Sequence, residues 1–277
     1  MTKARIPLAG VIGSPIAHSR SPLLHGHWLK TLDIAGHYIP MDVAPEDLER
    51  VLRTLPAMGF VGVNVTVPHK EAVMEIADQI TDRATLIGAA NTLIFRGDGS
   101  IIADNTDGYG FIENLRTGAP DWQPKAGPAL ILGAGGAARA VISSLIEAGV
   151  PEITLTNRTR LRAERLKEEF GHRLRIVDWV QAGNMLEHAA LAVNTTSLGM
   201  IGKGDLRVPL DGLRPQTIVT DLVYAPLKTN FLETAEQMGC VTVDGLGMLL
   251  HQAVPGFERW FGTRPVVDRA TRAAALR

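Results

Sequence analysis

The stretch from Ala129 to Gly149 constrains the fold of this chain more than any other. Ala129-Leu130-Ile131-Leu132 reads as a buried strand. Gly133-Ala134-Gly135-Gly136-Ala137-Ala138 follows with no spacer, and an apolar helix then runs to about Gly149. In a G-x-G-x-x-A turn between strand and helix, the first glycine permits the tight turn. The second lets the backbone approach a pyrophosphate, whose charge the helix N-terminus favours. A glycine-rich turn packed for steric reasons would carry the same letters. The strand predicted at Glu152–Thr156 lies at the distance a βαβ unit requires, and it favours dinucleotide binding. A helix over Arg160–Phe170 and strands at Leu174–Val177, Leu191–Asn194, Ile218–Leu222 and Val241–Val243 continue the alternation. That pattern implies a parallel sheet with helices on both faces.

The end of the second strand selects the cofactor. NAD-binding units usually place Asp or Glu there for the ribose hydroxyls. Here the chain reads Asn157-Arg158-Thr159, with Arg160 and Arg162 close behind. Guanidinium groups grip a 2′-phosphate, which a carboxylate would repel, so the sequence predicts NADP(H). A merely solvated basic helix start is the weaker reading, because cations there oppose the helix dipole.

The N-terminal half reads as mixed α/β: strands at Leu8–Ile12, His37–Val43 and Gly62–Val67, and helices from Pro45 and from Pro68 through Ile80. Ser21-Pro22 is expected to open a helix to about Leu32, with Ser21 as its N-cap. Asn91–Phe95 and Ile101–Asn105 form a hairpin around Arg96-Gly97-Asp98-Gly99. Thr117–Pro128 is a connector. The tail from Leu246 is helical and is expected to pack back on the first domain. Four polar clusters stand out. Ser19 and Ser21 form either a helix cap or a carboxylate site, and the residues alone leave that open. Asn64 and Thr66 share a strand face, and Lys70 is placed in a first helical turn, where a cation is electrostatically awkward. Asn91 opens a strand and Asp107 ends one, where α/β folds place ligands; turn chemistry is the plainer reading of both.

Composition excludes other classes. The 277 residues are 45% hydrophobic and 21% charged, with a formal net charge of −1 and one cysteine. Two globular domains fit that length. No global field attracts nucleic acid or an anionic membrane, no disulfide can form within the chain, and no run reaches a membrane span. No secretory leader is read at the N-terminus, and the cytoplasm is the expected location. Cys240 is expected to be a buried small hydrophobe. His25-x-His27 has the wrong spacing for a metal site on one helical face, and H-E-x-x-H is absent. His69 is left open as structural or as a support to the site.

In order along the chain, Ser19-x-Ser21-Pro22, Asn64-Val-Thr66-Val-Pro-His-Lys70, Gly88-Ala-Ala-Asn91-Thr, Asn105-Thr-Asp107-Gly108, Gly133-Ala-Gly-Gly-Ala137, Asn157-Arg158-Thr159 and Asp244-Gly-Leu-Gly-Met-Leu-Leu-His-Gln252 resemble the shikimate dehydrogenase family. The resemblance implies an α/β fold: a substrate-binding domain over 1–108 completed by 246–277, a Rossmann-type NADP-binding domain over 109–245, and a cleft between them. It implies reduction of 3-dehydroshikimate to shikimate with NADPH in chorismate and aromatic amino acid synthesis, by a monomer or homodimer. Ser19 and Ser21 would hold the ring carboxylate. Asn64, Thr66, Asn91, Asp107 and Gln252 would bind the ring hydroxyls, with Tyr224 closing over the substrate. Lys70 and Asp107 would be the catalytic pair. Gly133, Ala134, Gly135, Gly136 and Ala137 would hold the pyrophosphate, Asn157, Arg158, Thr159 and Arg162 the adenosine phosphate, and Asp82, Leu222 and Gly245 would lie near the nicotinamide. Leu222 stands where many members carry methionine, and Ser21, where quinate-using relatives often carry threonine, argues for shikimate. A lysine ammonium suits the alkoxide left by hydride addition. Three rivals remain: a quinate/shikimate dehydrogenase using either nicotinamide cofactor, an NADP-sensing module without turnover, and a dehydrogenase of the methylene-tetrahydrofolate type.

Overall fold

A computed structural model describes residues 6–277. The described chain divides into two compact units. The first runs to Thr106 and takes up Leu250–Arg277; the second is Asp107–Leu249.

The first unit contains β1 (Leu8–Gly13), α1 (Ser21–Thr31), β2 (His37–Asp42), α2 (Leu48–Thr54), β3 (Phe60–Val65), α3 (Ala72–Ile76), β4 (Gln79–Ile80), α4 (Asp82–Ile87), β5 (Thr92–Phe95) and β6 (Ile101–Asp104). Its sheet has the order β2-β1-β3-β5-β6-β4. β1 is parallel to β2 and β3, whereas β5 is antiparallel to both β3 and β6. The second unit contains α5 (Asp107–Gly118), β7 (Ala129–Leu132), α6 (Gly136–Ala148), β8 (Ile153–Thr156), α7 (Arg160–Phe170), β9 (Leu174–Val177), α8 (Ala182–Leu186), β10 (Leu191–Asn194), β11 (Ile218–Asp221), α9 (Asn230–Gln237) and β12 (Val241–Val243). Its sheet has the order β12-β11-β10-β7-β8-β9, and every pairing is parallel. That is the doubly wound nucleotide-binding order, with its switch point between β7 and β10. α10 (Leu246–Phe261) and α11 (Arg269–Ala275) close the chain, and Leu250–Arg277 belongs to the first unit while Leu246–Leu249 belongs to the second.

Several local expectations give way to tertiary context. Ser21 is the first residue of α1 and not its cap: Arg20 holds the cap position with no side-chain bond. The helix expected from Pro68 to Ile80 shrinks to α3, because Ala77 turns extended and Asp78 pairs with Ile101 through both its N–H and its carboxylate. Lys70 therefore sits in the turn before Glu71, the N-cap of α3, and not in a first helical turn. Asp107 opens α5 and does not end a strand, and α5 reaches into the expected connector as far as Gly118.

One face of the first sheet carries an aromatic cluster. Trp28 and Phe257 meet edge-on at 5.4 Å, and Phe257 lies 4.8 Å from Phe261. Trp260 donates its indole N–H to the Leu93 carbonyl at 3.1 Å. A Cβ on Gly62 would lie 2.0 Å from the Trp260 Nε1 and 2.3 Å from the Leu93 carbonyl oxygen, so only glycine admits this contact. Gly62→Ala is expected to destabilise the first unit by about 2 kcal/mol or more, read as a lower denaturant midpoint. An unchanged midpoint would mean that the indole is not held in this position.

Candidate active site

Topology gathers the first group of polar residues. β1 and β3 run in one direction and β5 in the other, so the C-terminal ends of β1 and β3 share a sheet edge with the start of β5. The end of β6 returns to that edge, as the register Asn64↔Thr92 and Thr92↔Asp104 requires. Ser19 and Ser21 follow β1, Asn64, Thr66 and Lys70 lie at the end of β3, Asn91 precedes β5, and Asn105 and Thr106 follow β6.

Hydrogen bonds lock these segments together. The Asn64 Oδ1 accepts from the Tyr38 hydroxyl at 2.7 Å, and its Nδ2 donates to the Asn91 carbonyl at 3.2 Å. The Asn91 Oδ1 accepts from the Thr106 N–H at 2.9 Å, and its Nδ2 donates to the Gln252 Oε1 at 3.1 Å. Thr106 Oγ1 reaches the Gln252 carbonyl at 2.8 Å. The Ser19 Oγ accepts the Ser21 N–H at 3.3 Å. The Lys70 carbonyl accepts from the Ala90 N–H at 2.8 Å, which ties the lysine turn to the Asn91 segment. His69, left open by the sequence, is buried with its Nε2 2.7 Å from the Val43 carbonyl. It is a structural anchor for the turn that carries Lys70.

Sequence reasoning missed the supports of this edge. Asp104 is fully buried and accepts from Arg83 at 2.6 and 2.5 Å, from the Thr81 hydroxyl at 2.8 Å and from the Asn105 N–H at 2.8 Å. Burial pushes its carboxyl upward, but the bonds from Arg83 and Thr81 and the guanidinium charge outweigh that and hold it below the usual carboxylate range. The second omission is His25, excluded as a metal ligand and otherwise unread. It is fully buried, neither ring nitrogen has a hydrogen-bond partner, and its ring stacks on Tyr38 at 3.8 Å. Only its position on the buried face of α1 hinted at this.

In the second unit the glycine loop leaves β7 at the switch point. Gly133 has φ of +110°, and a Cβ there would meet Thr196 Cγ2 at 2.6 Å. The Asn157 Oδ1 accepts the Ala134 N–H at 3.2 Å while its Nδ2 donates to the Thr159 carbonyl at 2.8 Å. Asn157 thus staples the loop to the end of β8. Cβ positions on Gly135 and Gly136 face open space, and α6 has no side-chain cap on its first N–H groups. Uncapped amides on an open backbone fit a phosphate group. Arg160 is engaged by Glu164 at 2.7 Å and Asp178 at 2.6 Å. Arg158 and Arg162 are exposed, and neither makes an ion pair among the described residues. They fit a second phosphate.

Leu222 and Gly245 are brought together: a Cβ on Gly245 would lie 2.3 Å from the Leu222 carbonyl oxygen. Tyr224 follows on the same loop and is 37% exposed. The loop is anchored by Asp221, which accepts from the Val223 N–H at 2.9 Å, from Asn194 at 2.9 Å and from the Thr229 hydroxyl at 2.7 Å. Asp82 lies apart from the other expected cofactor residues in the chain's division, at the start of α4 in the first unit. Among the described residues no cluster of His, Cys, Asp or Glu could hold a metal, and no helix is long and apolar enough to cross a membrane. Cys240 is buried against the second unit's core, and its thiol lies 3.2 Å from the Arg214 carbonyl.

Three family models match the chain: shikimate dehydrogenase substrate binding domain over residues 11–93, shikimate / quinate 5-dehydrogenase over 122–205, and shikimate 5′-dehydrogenase C-terminal domain over 245–274. A protein of Ruegeria sp. (strain TM1040) named shikimate dehydrogenase (NADP(+)) is 69% identical over 276 residues, 100% of both chains. Among solved structures, quinate dehydrogenase from Corynebacterium glutamicum in complex with NAD aligns with a TM-score of 0.90 at 30% identity, covering 98% of this chain and 99% of that one. Shikimate 5-dehydrogenase from Thermus thermophilus in complex with NADP(H) and shikimate aligns at 0.86 and 39% identity, covering 98% and 99%.

The buried histidine fixes a pH dependence. Burial pushes the His25 imidazole down to about 3, with Asn64 partly opposing, whereas an unfolded histidine titrates near 6.5. Below about pH 6.5 the unfolded chain gains a proton that the folded one refuses, so stability falls with pH by about 1.4 kcal/mol per unit. His25→Phe is expected to lose about 2 kcal/mol less than the parent between pH 6.5 and pH 5 in denaturant titrations. Equal losses in the two proteins would show that His25 is charged when folded.

Proposed function

The chain belongs to the shikimate dehydrogenase family, and from that premise we propose how its own residues carry out the reversible NADPH-dependent reduction of 3-dehydroshikimate to shikimate in aromatic amino acid biosynthesis. The cofactor is NADP(H), and when bound it supplies the hydride. The observation that carries the residue assignment is the joining of Asn64, Asn91, Thr106 and Gln252, four distant parts of the sequence, at one sheet edge by buried hydrogen bonds.

At that edge Ser19 and Ser21 hold the ring carboxylate, and Asn64, Thr66, Asn91, Asp107 and Gln252 hold the ring hydroxyls. Carboxamides and hydroxyls suit neutral hydroxyl partners, because each can donate and accept. Lys70 Nζ gives its proton to the carbonyl oxygen as that oxygen gains charge, and takes one back in the reverse direction. Asp107 is assigned as the second member of the catalytic pair, and Tyr224 as a further contact to the substrate. In the second unit the Gly133–Ala137 backbone takes the pyrophosphate. Arg158 and Arg162, with Asn157 and Thr159 at the end of β8, take the adenosine phosphate. Asp82, Leu222 and Gly245 are assigned to the nicotinamide end. The same reading gives a cytoplasmic enzyme, monomer or homodimer, in keeping with a free Cys240 thiol.

The reaction is tested by absorbance at 340 nm with shikimate and NADP⁺, beside quinate and NAD⁺; turnover of quinate with NAD⁺ alone would overturn the reading. Lys70→Ala is expected to lower kcat by about 10² or more with little change in KM, since its proton moves only in the transition state. Near-normal turnover would remove Lys70 from the mechanism. Arg158→Ala is expected to raise the KM for NADP⁺ about tenfold, the loss of one charge-assisted bond, and to leave weak NAD⁺ use unchanged. An equal effect on both cofactors would place Arg158 away from the 2′-phosphate.

A further inference from the structure

Tyr38 lies on β2, the edge strand of the first sheet, two strands away from Asn64. Register makes the contact possible. Ala9 of β1 pairs with Tyr38 on one side and with Gly62 of β3 on the other, and Asn64 lies two residues past Gly62. Alternation then puts Tyr38 and Asn64 on the same sheet face. Ala9, level with Tyr38 on the neighbouring strand, carries only a methyl group, and the space over Gly62 is taken by the Trp260 indole, whose ring centre lies 6.2 Å from the phenol. Tyr38 is only 8% exposed and its ring lies flat on His25, with an interplanar angle of 5°. The hydroxyl ends 2.7 Å from the Asn64 Oδ1.

This bond and the Asn91 carbonyl opposite it together set which way the Asn64 carboxamide points. A carboxamide is nearly symmetric in shape but has an acceptor at one end and a donor at the other. Burial pushes the Tyr38 phenol well above its ordinary value, with Ser21 opposing, so the hydroxyl keeps its proton and can donate. The Asn64 Nδ2 then faces the Asn91 carbonyl at 3.2 Å and the Thr92 hydroxyl at 3.4 Å. One lone pair on Oδ1 remains for a ligand, and the long contact to Thr92 can yield its N–H to one. Without the phenol hydroxyl only the contact to the Asn91 carbonyl still resists a flip, and a flipped carboxamide would present a donor where a substrate hydroxyl needs an acceptor.

We propose that Tyr38 is a positioning residue for substrate recognition, holding the Asn64 carboxamide in the one orientation that accepts from and donates to a ring hydroxyl. The proposal rests on the reading above in which Asn64 contacts the substrate. Its aromatic stack serves the same end: His25 fixes the plane of the phenol, so the hydroxyl is delivered to Asn64 from a set direction.

The test is a double-mutant cycle in the full-length enzyme with Y38F and N64A, reading KM for shikimate, KM for NADP⁺ and thermal midpoint. Tyr38→Phe keeps the ring and its stack, so the variant folds. Y38F is expected to raise the KM for shikimate about five- to tenfold, the worth of one buried hydrogen bond, and to leave the KM for NADP⁺ unchanged. In the N64A background Y38F is expected to change the shikimate KM less than twofold. The same factor in both backgrounds, or a rise in both KM values together, would show that Tyr38 acts by packing alone and overturn the proposal. A normal shikimate KM in Y38F beside a raised one in N64A would overturn it while leaving Asn64 as a substrate contact. A normal KM in N64A itself would remove the earlier reading of Asn64, and the proposal with it.

Discussion

The Asn91 carboxamide is the interaction on which the first unit's site depends. It sits 3% exposed just before β5, where its oxygen accepts from the Thr106 backbone and its nitrogen donates to Gln252. The first bond fixes the segment that follows β6. The second ties in α10, more than 150 residues away in the chain. An aspartate would have the same shape and could not donate to Gln252; a leucine would leave several buried polar groups without partners, at a cost of about 1–3 kcal/mol each. Because β3 and β6 both run opposite to β5, their ends meet at Asn91, whose backbone carbonyl accepts from Asn64 while its side chain holds the segment after β6 and a helix from the far end of the sequence.

On the proposed reading the two units recognise their ligands by different physics. The first would present side chains, so its specificity would depend on which end of each carboxamide faces inward. That is why it needs a buried, connected network behind the contact residues. The second presents backbone. Gly133 turns with a φ that disfavours any side chain, Gly135 and Gly136 leave the peptide bare, and the α6 terminus offers N–H groups that no side chain caps. A phosphate asks for charge and donors and not for an orientation of a carboxamide, so glycines and two exposed arginines suffice.

That contrast explains what could be read from the sequence. The second unit's strands were legible almost residue by residue, because β7, β8 and β10 are short apolar or β-branched runs buried on both faces and the loop motif marks where the first one stops. The first unit was legible as a set of polar clusters but not as local structure. β4 is two residues long and exists only because it pairs with β6, and α3 is cut short by the same pairing. Neither fact leaves a period in the sequence. The sequence marks Lys70 through a helical turn that the structure does not contain. Its actual surroundings are a turn held by His69 and by the bond from Ala90. Tyr38, His25 and Asp104 were not legible as supports, since their meaning lies in partners 13 to 26 residues away. His25 offered only an apolar helix face, and Tyr38 only a strand.

Two buried carboxylates show how partner chemistry sets the outcome at equivalent positions. Asp104 ends β6 and Asp221 ends β11, both are fully buried, and each accepts an N–H from the chain that leaves its strand. Each therefore anchors a segment assigned to the site: Asn105–Thr106 in one unit, Leu222–Tyr224 in the other. Asp104 also faces the Arg83 guanidinium, whose hydrogen bonds and charge, with the Thr81 hydroxyl, outweigh burial and hold the carboxyl below the usual carboxylate range. Asp221 has only neutral donors, from Asn194, Val223 and Thr229, and there burial wins, pushing its carboxyl up to about 6. At Asp221 the hydrogen bonds position the carboxylate without outweighing burial, whereas at Asp104 the guanidinium's bonds and charge tip the balance. Arg83 supplies that charge at the edge where Asn105 and Thr106 must hold fixed directions. The loop carrying Tyr224 is held by neutral donors alone, around a carboxyl that takes up a proton close to neutral pH.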